Sequence, residues 1–234
     1  PTSRRRIVGC GNRAMKIISP EIGKVTRLYV ADEIKPIGGI YLPDLLRLIG
    51  ERYSFATIPT VQETQQRGGH FGQGRLITND GEIVIGTLGT YNDGAMVTCQ
   101  DTDLAEIVLE DFIQWARATF GLREPITKAA TYFESNLVVE FSSPAARAMR
   151  GFERMKKLYE EALRSTYEQD IPVHFSTVGI GADPLGRSPL FKPDFGMARR
   201  VNRPYSEDRY FAIAPLRTAA HIELLEAFER EILT

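Results

Sequence analysis

The chain is poor in cysteine. Cys10 and Cys99 are its two copies in 234 residues. They form no C-x-x-C pair and no ligand cluster, which excludes a disulfide scaffold and predicts a reducing compartment. Histidine is equally scarce. His70, His174 and His221 show no H-x-x-x-H spacing and no neighbouring cysteine pair, so no metal site is expected. No apolar run approaches the roughly twenty residues that span a bilayer. The opening "PTSRRR" has no apolar core behind it, which is not the pattern of a signal peptide. A cytoplasmic protein without membrane contact is expected. Charge of one sign is also lacking: 29 Lys and Arg stand against 30 Asp and Glu, a formal net charge of -1. A general nucleic-acid binder usually carries a basic surplus. Finally, there is no G-x-S-x-G elbow, P-loop or H-E-x-x-H.

Apolar residues at 43% and charged residues at 25% are ordinary for a globular protein. The length fits one large domain or two small ones. One motif stands out early. "RIVGCGNRAM" spaces Gly9, Gly11 and Ala14 as in a dinucleotide-binding turn, and "RLYVADE" ends in Asp32 and Glu33, where such folds keep a ribose-binding acid. Yet Pro20 leaves too little room for the crossover helix, and the chain downstream reads as antiparallel hairpins. No cofactor is expected.

The periodicities predict the following order. "KVTRLYVADEI" (24–34) is a strand, and "LPDLLRLIGERY" is a short helix with Pro43 in its first turn. "SFATIPTV" is a second strand, and "QQRGGHFGQG" is a glycine-rich link. "GRLIT", "EIVIGTL" and "AMVTC" form a meander with turns at Asp80-Gly81 and Asp93-Gly94. "DTDLAEIVLEDFIQWARATFGL" is a helix, with Asp103 and Glu106 spaced as a capping box and Gly121 as its stop. In the second half, "ATYFESNLVVEF" is a strand. Ser143 and Pro144 open a helix to about Arg164, "IPVHFSTVGI" is a strand, "FGMARRV" and "DRYFAIA" are a hairpin, and "TAAHIELLEAFEREIL" is the closing helix. His174 is expected in or beside the core and His221 at a solvated helix start.

These elements predict an α+β protein: an antiparallel sheet with long amphipathic helices on one face, built from two similar halves. Residues 1–23 form a basic N-terminal segment, 24–122 the first half and 123–234 the second, packed as one unit.

Candidate binding residues fall into four groups. Arg67, His70 and Arg75 sit among glycines, as an anion cradle or a plain mobile connection. Asp183 and Arg187 lie in the Gly/Pro stretch "GADPLGRSPLFKPD", a ligand-contacting or plain excursion. Arg199, Arg200, Arg203, Tyr205 and Arg209 mark the 199–210 hairpin, where arginine and tyrosine suit a phosphate, a base or a protein interface. Arg4, Arg5, Arg6 and Arg13 would touch a partner chain or nucleic acid. The acids Asp101, Asp103, Glu106, Glu110 and Asp111 are dense enough for acid–base work, or for one wet helix face.

"YNDG", "TDLAEIVLEDFIQWARATFGL", "GIGADP" and "PYSEDRYFAIAPLRTAAHIELLEAFE" together resemble a group of uncharacterised bacterial proteins, over about residues 40 to 234. The resemblance brings no activity and no catalytic residue. By analogy it places the chain among proteins of mobile or anti-phage operons. The expected function is a non-enzymatic interaction protein: an adaptor, sensor or assembly subunit with a protein partner or a second copy of itself. The alternatives are a hydrolase or nuclease-type enzyme using scattered carboxylates, and a nucleic-acid-binding subunit using the arginines.

Overall fold

In the computed structural model the first strand begins at Met15 rather than Lys24 and runs as β1 (Met15–Leu28). The structure describes residues 15–142, 153–168, 176–181 and 194–230, with single positions 170, 172 and 174. Arg4, Arg5, Arg6, Arg13, Asp183 and Arg187 lie outside the described residues, as does the predicted helix start at Ser143. β1 shifts register twice against its neighbour, between Ile17 and Ser19 and between Pro20 and Ile22. One such slip would turn the apolar set to the wrong face, whereas two keep Met15 and Val25 both buried. Pro20, which has no N–H for a ladder, falls between the two irregularities. The residues after Ala14 are therefore strand, where a dinucleotide fold needs helix.

Several local expectations are corrected. "ADEI" is not strand but a single turn, α1 (Ala31–Ile34). The helix α2 (Leu42–Arg52) follows, with Pro43 in its first turn as predicted. "SFATIPTV" contributes only a bridge between Thr57 and Gly72. Its end opens α3 (Val61–Arg67). The Thr60 hydroxyl accepts from Glu63 N at 3.2 Å, and the Glu63 carboxylate accepts from Thr60 N at 2.8 Å. That capping box outweighs the β-branched content of Thr60 and Val61. The glycine-rich link is strand β2 (Gly69–Thr78). Its glycines serve close packing: a Cβ on Gly74 would stand 2.4 Å from the Phe55 ring.

β3 (Gly81–Tyr91) and β4 (Gly94–Cys99) complete the predicted meander. The long helix α4 (Thr102–Phe120) is capped by Asp101, whose carboxylate accepts from Leu104 N at 2.8 Å; the predicted Asp103–Glu106 box does not form. β5 (Ala130–Phe141), α5 (Glu153–Tyr167), β6 (Thr177–Ile180), β7 (Phe195–Arg199), β8 (Arg209–Ala214) and α6 (Thr218–Phe228) follow. β6 is shorter than "IPVHFSTVGI" suggested. The eight strands of the described residues join one antiparallel sheet in the order β2-β3-β4-β1-β5-β8-β7-β6. The fold is α+β, and among the described residues no helix is long and apolar enough to cross a membrane.

α4 packs on β1, β3 and β4, and α6 on β5 and β1. Val25, Val97, Ile85, Leu88, Val108 and Leu109 are fully buried in the larger apolar cluster, which also takes Ile49 and Tyr53 from around α2. Met15, Leu137, Val139, Ala212 and Leu225 form the second. Each large side chain so buried is worth about 1.5–3 kcal/mol.

The two helices meet at their N-termini. Thr218 N donates to the Thr102 hydroxyl at 2.9 Å, and Thr102 N donates to the Thr218 hydroxyl at 3.1 Å. Each is the first residue of its helix, where backbone N–H groups have no partner within the helix. Each helix thus caps the other. The junction rests on Gly23, where a Cβ would lie 2.0 Å from the Asp101 carbonyl carbon. We expect Gly23→Ala to cost about 2 kcal/mol or more, because backbone must move to admit one methyl. Gly38→Ala, with nothing within 4 Å, should shift the urea midpoint little. Equal midpoints for the two variants would contradict this packing.

Candidate functional site

The segment after α4 is strapped to the turn after β1. Gly121 takes the left-handed conformation and ends α4, and the chain doubles back. Arg123 N donates to the Ile34 carbonyl at 3.0 Å, its Nε to the Lys35 carbonyl at 2.6 Å, and its Nη2 to the Asp32 carbonyl. Glu33 then accepts from Ile126 N at 3.0 Å and from Thr127 N and hydroxyl, both at 2.8 Å. Those Thr127 backbone and hydroxyl bonds, with the Ile126 N–H, hold the Glu33 carboxyl below its ordinary value. The acid that looked like a ribose ligand is a loop anchor.

Between this strap and the sheet lies an open groove of about 450 Å³. Arg27, Tyr29 and Thr131 come from the sheet side, Arg117 from the last turn of α4, and Pro125 to Ala129 from the strap. Arg27 Nη1 donates to Glu110 at 2.6 Å, and Arg117 pairs with Glu124 at 3.2 Å. Burial opposes the Arg27 charge, but the Glu110 hydrogen bond and the nearby Tyr29 raise its pKa nonetheless. Arg27 in turn holds Glu110 ionised below the usual carboxylate range. Lys128 is exposed. The groove wall therefore carries Arg27, Arg117 and Lys128 and no carboxylate. Ile126 of the lining is 94% exposed, and Ile37 and Tyr41, 97% and 71% exposed, lie in the stretch between α1 and α2.

The residues nominated from the sequence fall elsewhere. Arg199 donates to the Tyr210 hydroxyl at 3.0 Å and to Asp208 at 3.2 Å, and its guanidinium lies over the Tyr210 ring. Arg209 pairs with Glu140, its direct partner across the β5–β8 ladder, at 2.7 Å, and with Glu207 at 3.3 Å. Arg200 reaches Glu21 at 3.4 Å. These three arginines fasten strands. Arg203 is exposed in the turn between β7 and β8, and Tyr205 opens the short 3-10 turn Tyr205–Glu207. Arg67 ends α3 and its carbonyl lies 3.3 Å from His70 Nε2. His70 packs edge-on against Tyr91, and Arg75 is exposed in β2. The three do not form a glycine loop, because their glycines belong to a cap and a strand.

The acids of α4 are also paired. Asp103 and Glu106 hold Arg217, whose guanidinium lies 4.3 Å from the Phe133 ring centroid. Asp111 takes Arg52 at 2.8 Å and the Tyr53 hydroxyl at 2.8 Å, while Arg52 stacks between Tyr53 and Trp115. Among the described residues no three His, Cys, Asp or Glu side chains converge as a metal site. Cys99 is buried, and burial, with Asp101 nearby, pushes its thiol up to about 12, far from a reactive thiolate. Comparison of the chain with protein-family models, with curated proteins and with solved structures finds no match.

The groove residues escaped sequence reasoning because Arg27, Arg117 and Lys128 belong to three separate elements. The one local signal was "REPITK" (123–128), a polar stretch around a lone Ile126 that joins no periodic pattern.

Two histidines differ from expectation. His174 is exposed and outside any strand, and His221 is fully buried in α6. Neither ring nitrogen of His221 has a hydrogen-bond partner. Burial lowers its pKa from 6.5 to about 4, and a contact with the Ser135 backbone, short of hydrogen-bond geometry, opposes this only in part. The fold thus prefers the neutral ring. Its contribution to stability is complete above pH 6.5 and is lost as pH falls toward 4, by up to about 3 kcal/mol. Urea unfolding of wild type and His221→Leu at pH 7 and pH 4.5 checks this. The variant should show the shallower acid loss, and identical acid slopes would refute the assignment.

Proposed function

We propose that this protein is a non-enzymatic interaction subunit that engages a protein partner or a second copy of itself. What supports the reading is the distribution of charge. The acids and arginines that catalysis or phosphate binding would recruit are bound to one another across elements: Arg217 to α4, Arg52 to Asp111, Arg209 to Glu140. Among the described residues an open groove carries Arg27, Arg117, Lys128 and the exposed Ile126, and Ile37 and Tyr41 are exposed between α1 and α2. Large exposed aliphatic and aromatic side chains next to a charged cleft suit protein association.

The hydrolase reading needs carboxylates that face a cleft with a free edge. The α4 acids face arginines instead. The nucleic-acid reading placed its contacts on the 199–210 hairpin, where Arg199, Arg200 and Arg209 already pair with Asp208, Glu21 and Glu140.

The same proposal covers the architecture. Residues 24–122 and 123–234 are read as two similar halves with α4 and α6 on one face. In support, β1 and β5 pair at the sheet centre, each half ends in a strand followed by a helix, and those helices cap each other reciprocally.

Light scattering on a sizing column and affinity capture from the source extract test the function. We expect a defined self-associated species or a stoichiometric retained partner. A strictly monomeric protein that retains none contradicts the proposal.

A further inference from the structure

We infer that the groove beside the 125–129 strap receives an acidic, aliphatic-bearing segment of a partner protein. This rests on the interaction reading above and adds the site and the partner's chemistry.

Charge comes first. Arg27, Arg117 and Lys128 are the ionisable residues of the groove wall apart from the Tyr29 phenol. Arg27 is held by Glu110 at 2.6 Å and Glu106 at 4.0 Å and Arg117 by Glu124 at 3.2 Å, so both guanidiniums are oriented but already paired, and Lys128, with no ion pair among the described residues, is the cation the groove offers outright. Pre-oriented donors lower the entropic cost of binding, and arginine offers a carboxylate two parallel N–H groups. A ligand carboxylate meets Lys128 on the strap, with the paired guanidiniums of Arg27 and Arg117 beside it.

The neighbouring surface decides between macromolecules. Ile126 stands almost wholly in water on a backbone pinned at Ile126 N and Thr127 N by Glu33. Ile37 is also nearly fully exposed, two residues beyond the Lys35 carbonyl that Arg123 holds. An aliphatic side chain has no flat face on which a base stacks, and nucleic acid would add phosphates where the protein offers isoleucine. A peptide with alternating acidic and aliphatic residues satisfies both features. The overall charge of -1 also favours local pairing over long-range attraction to a polyanion. At about 450 Å³ the groove holds a few side chains, which fits a segment and not a folded domain.

The experiment selects peptides from a displayed random library of about twelve-residue sequences on the immobilised full chain. Enriched sequences should be net negative and carry Ile, Leu or Val. Their affinity should fall at least tenfold on Lys128→Glu and on Ile126→Asp, and stay unchanged on Arg203→Glu, an exposed turn position away from the groove. Both groove positions are exposed, and matching urea midpoints confirm that the variants fold. Enrichment without acidic bias, affinity indifferent to both substitutions, or no enriched sequence overturns the inference. So does a mixed-sequence DNA or RNA oligonucleotide that binds the groove more tightly than the selected peptides. If the partner captured from extract is still retained by Lys128→Glu and Ile126→Asp, the groove assignment fails and the interaction reading stands. If no partner of any kind is retained, both fail.

Discussion

Thr102 and Thr218 each give a hydroxyl to the other's backbone N–H, and the placement of both main helices follows from that exchange. A helix start buried over a sheet must find acceptors for its first N–H groups. α4 has Asp101 for one of them, whereas the side chain of Arg217, the cap residue of α6, accepts from none of that helix's N–H groups. Sharing two threonines solves both ends at once. It also requires a backbone with no side chain beneath, which is Gly23. α4 is then a rod of about 28 Å, at 1.5 Å per residue, fixed at its first turn. Its far end delivers Arg117 to the groove.

Charge then sets what each side of the rod does. Along its exposed side α4 carries Asp103, Glu106, Glu110 and Asp111, and each meets an arginine from another element: Arg217, Arg27 or Arg52. Exposed pairs of this kind contribute little one at a time. Together they fix which surface remains unsatisfied. Where the pairs stop, beyond Arg117, the chain turns at Gly121 and the strap exposes Ile126 and Lys128.

Much of the fold was legible in the sequence because the period-2 and period-3.6 patterns were strong there. The β2–β3–β4 meander, α4, β5 and the β7–β8 hairpin stand where their alternation and Asp-Gly turns put them. The misreadings share a cause: a distant contact overruled a local preference. "GGHFGQG" looked like a loop because glycine weakens strands, but Gly74 is needed to let the Phe55 ring approach. "TIPTV" looked like strand until the Thr60–Glu63 box turned it into a helix start. His221 looked solvated beside a helix start, but it stands on the buried face of α6 while the start itself stays largely exposed. The site was less legible than the fold. The arginines of the 199–210 hairpin were visible as a cluster, but their carboxylate partners Glu21 and Glu140 come from other strands. The groove cations lie as far apart in sequence as Arg27 and Lys128, and only the strap held by Glu33 and Arg123 brings them together.

The shared helix junction is the claim on which the rest turns, and a double-mutant cycle tests it most directly. Thr102→Val, Thr218→Val and the pair would be compared by urea unfolding. Each single variant leaves the other helix's first N–H buried without its acceptor, at about 1–3 kcal/mol. The two hydroxyls also bond each other at 3.2 Å, a contact that each single variant removes and the pair removes only once, so the pair should cost less than the sum of the singles by about 1 kcal/mol. Strict additivity would contradict it, for the two threonines would then be acting independently.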